Sequence, residues 1–389
     1  MTKCPKLLIT GGADVDKRLP LMLELRDQFD CVAVGSHPNL HRDFADAGFL
    51  YENYQLNPAF DLLSDWRSFR QLRTIMCKQK PDIVHCFDTK PCIVGQFAAQ
   101  AAKAPVRINT FTGLGGLYTY NTPEVKMRRA IFRQLHRIAC SGASRIVFQN
   151  GDDQTRYIRE KIVSKDNTLL IKGSGVDAAR FNPKRYSATA RSALRYDLGI
   201  PPDAKVILFV GRLLQSKGIP QLLDATKSIA SMFPNTRFVL VGPKVSEHVD
   251  ALTDLHWSQI RKTALWLGER SDIPELMMMS DLLVLPTYYR EGIPRALQEA
   301  AMLGLPIVTT DTPGCREVVA SEQTGLAIPI KNSFRLIEAI IRLLNDKAFA
   351  QKLGRSAREK ALREFKIETI ANQYRQLYKM SGAEIGNGV

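Results

Sequence analysis

Two glutamates, Glu291 and Glu299, stand eight positions apart in the run YREGIPRALQEAAMLGLPIVTT, Tyr289 to Thr310. Each carboxylate oxygen accepts hydrogen bonds, which suits recognition of sugar hydroxyls. Glu291 lies in a loop with Gly292, Ile293 and Pro294. A helix beginning near Ile293 or Pro294 places Glu299 about two turns in. Gly292 and Ile293 offer backbone N–H groups there, and Pro294 offers none. Two solvated glutamates are the plain alternative. Against it, Glu299 is embedded in ALQEAAML, where an unpaired carboxylate is costly. A second constellation is Gly211-Arg212 with Lys217-Gly218, one short loop after the apolar run KVILFV. Arg grips two phosphate oxygens at once and Lys adds a compact charge, so the pair suits a diphosphate. A solvated basic turn fits the same residues. Gly11-Gly12 follows the first apolar run, where glycines let backbone N–H groups approach a phosphate or a carbonyl. The pattern is not G-x-G-x-x-G, so a dinucleotide fingerprint is absent. A tight turn explains it equally well.

These residues need elements that bring them to one edge. DLLVLPT (Asp281–Thr287) and LPIVTT read as buried strands, with the glutamate loop and a helix between them. In parallel α/β sheets, ligands sit at the carboxyl ends of strands, where such loops lie. The first half alternates in the same way. Strands are expected at Lys6–Thr10, Cys31–Gly35, Pro81–Cys86, Val106–Phe111, Ser144–Phe148 and Leu169–Ile171. Helices are expected at Leu19–Gln28, Ser64–Gln79 and Cys92–Ala102, with a polar stretch after Gly35. In the second half, strands are expected at Lys205–Val210, Thr236–Val241, Leu265–Leu267, 282–285 and Gly325–Pro329, and helices fill 333–380. This alternation indicates parallel sheets covered on both faces. Residues 1–185 form one domain, 186–204 a linker and lead-in, and 205–365 a second domain. Residues 366–389 form a helix returning to the first domain, and a tail. Two such domains imply a cleft between them, a usual place for a small-molecule site.

The chain has 389 residues and a formal net charge of +15. Residues 1–185 carry 28 basic and 18 acidic side chains, against 26 and 21 in the rest, so the first half is the more basic. Phosphorylated substrates, an anionic membrane surface and nucleic acid all fit that balance. No RRM, KH, helix-turn-helix or aromatic-interleaved basic motif supports nucleic acid. Seven scattered cysteines with no CxxC pair argue against a disulfide framework or a zinc site. KLLITGG is too short for a signal-peptide core, and no apolar run reaches about 18 residues, so no membrane span is expected.

Taken in order, VGRLLQSKG, FVLVG, LWLGERSDIPELMMMSDLLVLPTYYREGIPRALQEAAMLGLPIVTTDTPGCREVV and TGLAIP resemble the carboxyl-terminal domain of glycosyltransferase family 4. TGG, KPDIVHCFDTKPCIVGQFAAQAA and KGSGVDAARFNP resemble its first domain more loosely. RINTFTGLGGLY is similar to members that extend polyprenyl-diphosphate-linked glycans. The resemblance implies the GT-B fold: two Rossmann-like, doubly wound domains facing an interdomain cleft. It implies a retaining enzyme that moves a hexosyl or N-acetylhexosaminyl group from a nucleotide-diphosphate sugar, a UDP-sugar by expectation. The acceptor would be a polyprenyl-diphosphate-linked glycan in surface polysaccharide assembly. On that resemblance Arg212 and Lys217 hold the diphosphate, Glu299 contacts the ribose, and Glu291 contacts the transferred sugar. Backbone from Gly211 and from Gly292 to Pro294 helps, including Ile293. Gly268 and Arg270 lie beside the base, and Gly12 approaches from the other domain. Arg and Lys neutralise the leaving diphosphate, so neither a metal nor any cofactor is expected, and no nucleic acid partner.

Many family members have a histidine after the strand that here runs into Thr110-Phe111-Thr112-Gly113. Thr112 takes that place. His85 is a possible substitute, with a packed strand-end histidine as the other reading. The donor phosphate is then the expected proton acceptor. Finally, KMRRAIFRQLHR reads as an amphipathic helix. Met127, Ile131, Leu135 and Ile138 recur at helical spacing among Lys126, Arg128, Arg129, Arg133 and Arg137. A membrane-surface helix has this make-up. So does a surface helix that packs its stripe inward. The first reading places the protein peripherally on the cytoplasmic face of the cell membrane, with the loop 113–120 receiving a lipid diphosphate. A soluble acceptor, or a sugar-nucleotide epimerase of the same architecture, is the alternative.

Overall fold

The computed structural model describes residues 4–57 and 59–386, so the end of the expected tail lies outside it. Contacts divide the chain into two units: Met1–Gly175 with Ile367–Val389, and Val176–Lys366. The first division falls ten residues before the boundary drawn from sequence, because Val176 already bonds to Phe365 and Lys366 of the second unit.

The first unit holds a parallel sheet of β1 (Lys6–Thr10), β2 (Asp30–Gly35), β3 (Leu50–Asn53), β4 (Ile83–Phe87), β5 (Val106–Phe111), β6 (Arg145–Phe148) and β7 (Thr168–Leu170). Their order is β3-β2-β1-β4-β5-β6-β7. Side chains alternate between faces at period two. Leu7, Ile9, Ile83 and Phe87 point to one face, where Leu21, Met22 and Leu25 join Ile370, Tyr374 and Tyr378 of the last helix, Ile367–Gly386. Leu8, Val84 and Cys86 point to the other, against Leu72 and Met76 of the helix Leu62–Gln79 and Ala98 of the helix Pro91–Ala101. The strand β3 escaped the sequence reading. LYEN is a short edge strand, and of its four residues only Tyr51 is fully buried, so it carries almost no apolar signal.

The second unit holds β8 (Lys205–Val210), β9 (Thr236–Val241), β10 (Leu265–Trp266), β11 (Leu282–Leu285), β12 (Ile307–Thr310) and β13 (Leu326–Ile328), ordered β10-β9-β8-β11-β12-β13. All its pairings are parallel. VILFV and LLVL are apolar throughout because a sheet covered on both faces buries the positions inside its strands. In both sheets the strand order reverses once, between β1 and β4 and between β8 and β11. A crevice opens at the carboxyl ends of the strands where neighbouring connections diverge.

Candidate functional site

In the second unit the crevice falls between the loops that follow β8 and β11. The Ser216 carbonyl accepts from Tyr288 N–H at 2.8 Å, Tyr289 N–H at 3.2 Å and the Thr287 hydroxyl at 3.2 Å. The Ser216 N–H donates to buried Asp250 at 2.7 Å. Gly218 has φ +81, and a Cβ there would stand 2.2 Å from the Pro286 carbonyl oxygen. Only glycine lets the two loops approach this closely.

The stitching carries Lys217 to Glu291: Nζ donates to Oε1 at 2.5 Å. Lys217 is 7% exposed. A charge so buried needs a partner, because desolvation alone would cost several kcal/mol. Arg212 stays exposed. Tyr289 lies under both cations, with Arg212 at 5.8 Å and Lys217 at 5.6 Å from its ring centroid. The helix carrying the second glutamate is Arg295–Leu303, so Glu299 stands about one turn in rather than two. It is 7% exposed, and Arg295 Nε donates to its Oε1 at 2.7 Å. That pair is what makes a carboxylate tolerable in ALQEAAML. Gly292, Ile293 and Pro294 are buried beside it. The Gly211 N–H donates to Val241 O at 2.9 Å, and the Gly242 N–H donates to Gly268 O at 2.7 Å, so the ends of β8, β9 and β10 form one rim. Arg270 lies on that rim but is folded onto Asp272, with contacts at 2.8 and 2.6 Å. Arg212, Lys217, Glu291 and Glu299 therefore share one edge, while Arg270 is already engaged by a carboxylate.

In the first unit, Gly12 is buried at the end of β1. A Cβ there would meet nothing closer than 3.8 Å, so packing does not require glycine at this position. Thr112, after β5, donates its hydroxyl to Asp88 Oδ1. Gly113 follows at φ +135.

His85 is not available as a catalytic group. It is fully buried; its Nδ1 lies 2.7 Å from the Tyr378 hydroxyl and its Nε2 lies 2.6 Å from the Thr110 hydroxyl. Burial, then the nearby Arg18 cation, push its pKa well below the usual histidine value. The ring is a neutral fastener between β4 and the last helix. Its place on the inward face of an all-buried strand decides this.

The basic run forms the helix Pro123–Ser141, capped by the Thr122 hydroxyl. Its buried residues are Phe132, His136, Ala139 and Cys140. Of the expected apolar stripe, Met127, Ile131 and Ile138 face outward, with Met127 62% and Ile138 58% exposed, while Leu135 is half-buried. Three of its arginines are tied down within the unit. Arg129 donates to Leu117 O and Tyr120 O, Arg133 pairs with Glu160, and Arg137 donates to Lys161 O and Glu160 O. Lys126 and Arg128 remain exposed. Phe60 meets Phe132 with ring centroids 6.1 Å apart, and Leu62, Leu63 and Trp66, soon after Phe60, are exposed.

Sequence reasoning missed Arg295, Tyr289, Arg18 and Asp88. The i, i+4 spacing of Arg295 and Glu299 was legible, and so was a carboxylate directly after PDIVHCF. Among the described residues no His, Cys, Asp and Glu side chains group to hold a metal ion.

Residues 190–360 match the family model of glycosyl transferases group 1, and residues 18–150 that of glycosyl transferase 4-like proteins. An Escherichia coli UDP-Gal:alpha-D-GlcNAc-diphosphoundecaprenol alpha-1,3-galactosyltransferase is 28% identical over 82% of this chain and 80% of its own. A Campylobacter jejuni N,N'-diacetylbacillosaminyl-diphospho-undecaprenol alpha-1,3-N-acetylgalactosaminyltransferase is 27% identical over 95% of this chain and 96% of its own. Among solved structures, Anabaena HepE in complex with UDP-glucose superposes with a TM-score of 0.79, at 21% identity, covering 96% of this chain and 99% of that one.

Proposed function

The chain belongs to glycosyltransferase family 4, with the GT-B fold, and from that premise we propose that it transfers a sugar from a UDP-sugar to a polyprenyl-diphosphate-linked sugar with retention of configuration. The observation carrying this reading is the edge of the second sheet, where Lys217 pairs with Glu291, Arg212 stands over Tyr289, and Glu299 lies one turn into the next helix. Arg212 and Lys217 hold the diphosphate and take up charge as it leaves, an electrostatic role that needs no resident metal. Glu299 holds the ribose, and Glu291 holds hydroxyls of the transferred sugar. When the donor enters, its diphosphate competes with Glu291 for Lys217, which frees carboxylate oxygens for those hydroxyls. As the acceptor oxygen bonds to the anomeric carbon, the bond to the diphosphate breaks, and the acceptor proton passes to a leaving phosphate oxygen.

Two further observations support the lipid-linked acceptor. The two relatives are named for undecaprenyl-diphosphate-linked acceptors. The outward stripe of the helix Pro123–Ser141 gives the first unit an apolar and basic surface suited to a peripheral place on an anionic cytoplasmic leaflet. No helix among the described residues is long and apolar enough to cross a membrane.

The test is transfer from a panel of UDP-sugars to prenyl-diphosphate-linked N-acetylhexosamines, with release of UDP and anomeric configuration read together. Lys217→Ala and Glu299→Ala should each lower kcat/KM by about a hundredfold or more while the protein stays folded. Full activity in both variants would sink the assignment. Interconversion of UDP-sugars without any acceptor would favour an epimerase.

A further inference from the structure

The reversal of strand order in the first sheet opens a second crevice, between the ends of β1 and β4. Gly11 and Gly12 close it on one side. On the other stands Asp88, directly after Phe87, the last residue of β4. Its backbone is unusual. With φ +74 it is a non-glycine residue in the left-handed region, which costs on the order of 1 kcal/mol or more. Of the five other non-glycine residues in that region, Lys80, Lys103 and Lys161 each end a helix, where the conformation is routine, and Glu322 and Lys331 lie in turns. Asp88 ends a strand. Its N–H donates to Thr110 O at 3.0 Å, and its own carbonyl accepts from Cys92 N–H at 3.1 Å, opening the helix Pro91–Ala101. The conformation is thus held from β5 and from the helix, and the side chain is left half-buried at the carboxyl edge of the sheet.

The Thr112 hydroxyl donates to Asp88 Oδ1. Here the threonine orients a carboxylate that comes from the neighbouring strand. Arg18 stands nearby, 5% exposed, with its guanidinium 4.7 Å above the Phe87 ring and its Nη1 donating to the Ser174 hydroxyl at 2.8 Å. It makes no ion pair with a carboxylate among the described residues, and its charge favours the ionised form of Asp88. A carboxylate fixed on one oxygen has its second oxygen left to accept from a ligand hydroxyl.

We propose that Asp88, oriented by Thr112, receives the hydrogen bond of the acceptor's reactive hydroxyl and sets its direction. The inference rests on the transferase reading above. Asp88 contacts the acceptor; Thr112 is a positioning residue acting through it. The proton still leaves to the donor phosphate, so Asp88 need only be ionised. Burial, and then the Asp14 carboxylate, push its pKa above the ordinary aspartate value, against Arg18, the Thr112 hydroxyl and Lys17. Tyr54 and Cys92 also face it, both held neutral by burial. Protonation therefore removes the accepting oxygen at a higher pH than for a free aspartate.

The experiment uses the full chain with a farnesyl-diphosphate-linked N-acetylglucosamine as the acceptor probe and UDP as the donor-site probe. Asp88→Asn should lower acceptor kcat/KM by about 50-fold, and Thr112→Val by about tenfold. UDP affinity by calorimetry should stay within about twofold in both variants. The wild-type profile of acceptor kcat/KM should fall on the acid side, and Asp88→Asn should lack that limb. Unchanged acceptor kinetics in Asp88→Asn would overturn the proposal, and so would loss of UDP binding together with acceptor turnover, which marks a merely structural role. If the wild type transfers to no prenyl-diphosphate probe, the acceptor reading fails by itself. Asp88 is then judged with water as acceptor: slow hydrolysis of the UDP-sugar should fall in Asp88→Asn, and undiminished hydrolysis would sink the inference.

Discussion

Two histidines show how burial turns a residue's usual chemistry into structure. His136 is buried on the inner face of the helix Pro123–Ser141, where its Nε2 meets Thr89 O at 2.9 Å and its Nδ1 meets the Tyr157 hydroxyl at 3.2 Å. Burial, opposed by the Thr89 carbonyl, lowers its pKa from 6.5 to about 4. His85 is shifted the same way. A histidine with a depressed folded pKa binds fewer protons folded than unfolded. Its contribution is fully present above pH 6.5 and is lost as pH falls from there toward the folded value. Each histidine should therefore take away about 1.4 kcal/mol per pH unit below its unfolded pKa. Hydrogen exchange of the β4 and β5 amides at pH 7.5 and 5.5 should show lower protection at the acid end. His136→Gln should lose part of that slope. A flat response would mean that the histidines are charged in the fold.

The helix Pro123–Ser141 has two apolar stripes, and its environment decides which one is buried. Phe132, His136, Ala139 and Cys140 take the inner face, while Met127, Ile131 and Ile138 are left outside beside Lys126 and Arg128. Because Arg129, Arg133 and Arg137 are engaged within the unit, apolar insertion carries more of any membrane affinity than the five basic residues suggest. Replacing Met127, Ile131 and Ile138 by serine should lower binding to vesicles containing anionic phospholipid by about tenfold or more, with secondary structure unchanged. Charge reversal at Lys126 and Arg128 should act mainly through salt dependence, at about 1 kcal/mol per charge. Flotation assays separate these contributions. Binding that survives the triple serine variant would remove this helix from the membrane surface.

At the scale of the whole chain, the first unit is closed by its own carboxyl terminus. Ile370, Ala371, Tyr374, Leu377 and Tyr378 cover the face of β1 and β4 that carries Leu7, Ile9 and Ile83. Tyr378 also holds His85. Ending the chain after Lys366 strips that face, and the loss of five buried side chains amounts to several kcal/mol. The first unit should then lose cooperative unfolding, while the second, whose core lies within 176–365, should still bind UDP. Calorimetric scanning with and without UDP reads both. An unaltered first-unit transition would show that the helix is dispensable.

Apolar periodicity and glycine placement made much of this protein legible. The strands KLLIT, KVILFV and TRFVLV have the same limits in sequence and structure, and residue type and spacing singled out Arg212, Lys217, Glu291 and Glu299 as candidates, with a solvated turn and solvated glutamates as the plain alternatives. Strand order and facing were not, because a one-dimensional pattern states that a stripe is apolar without stating what lies against it. Tertiary structure alone brings Lys217 to Glu291 across 74 positions and seals His85 between β4 and the last helix. It also leaves Met127, Ile131 and Ile138 outside and sets Asp88 against Thr112 at the turning point of the first sheet. Each of these follows from which strands are neighbours, and that is settled by how two covered sheets bury their faces.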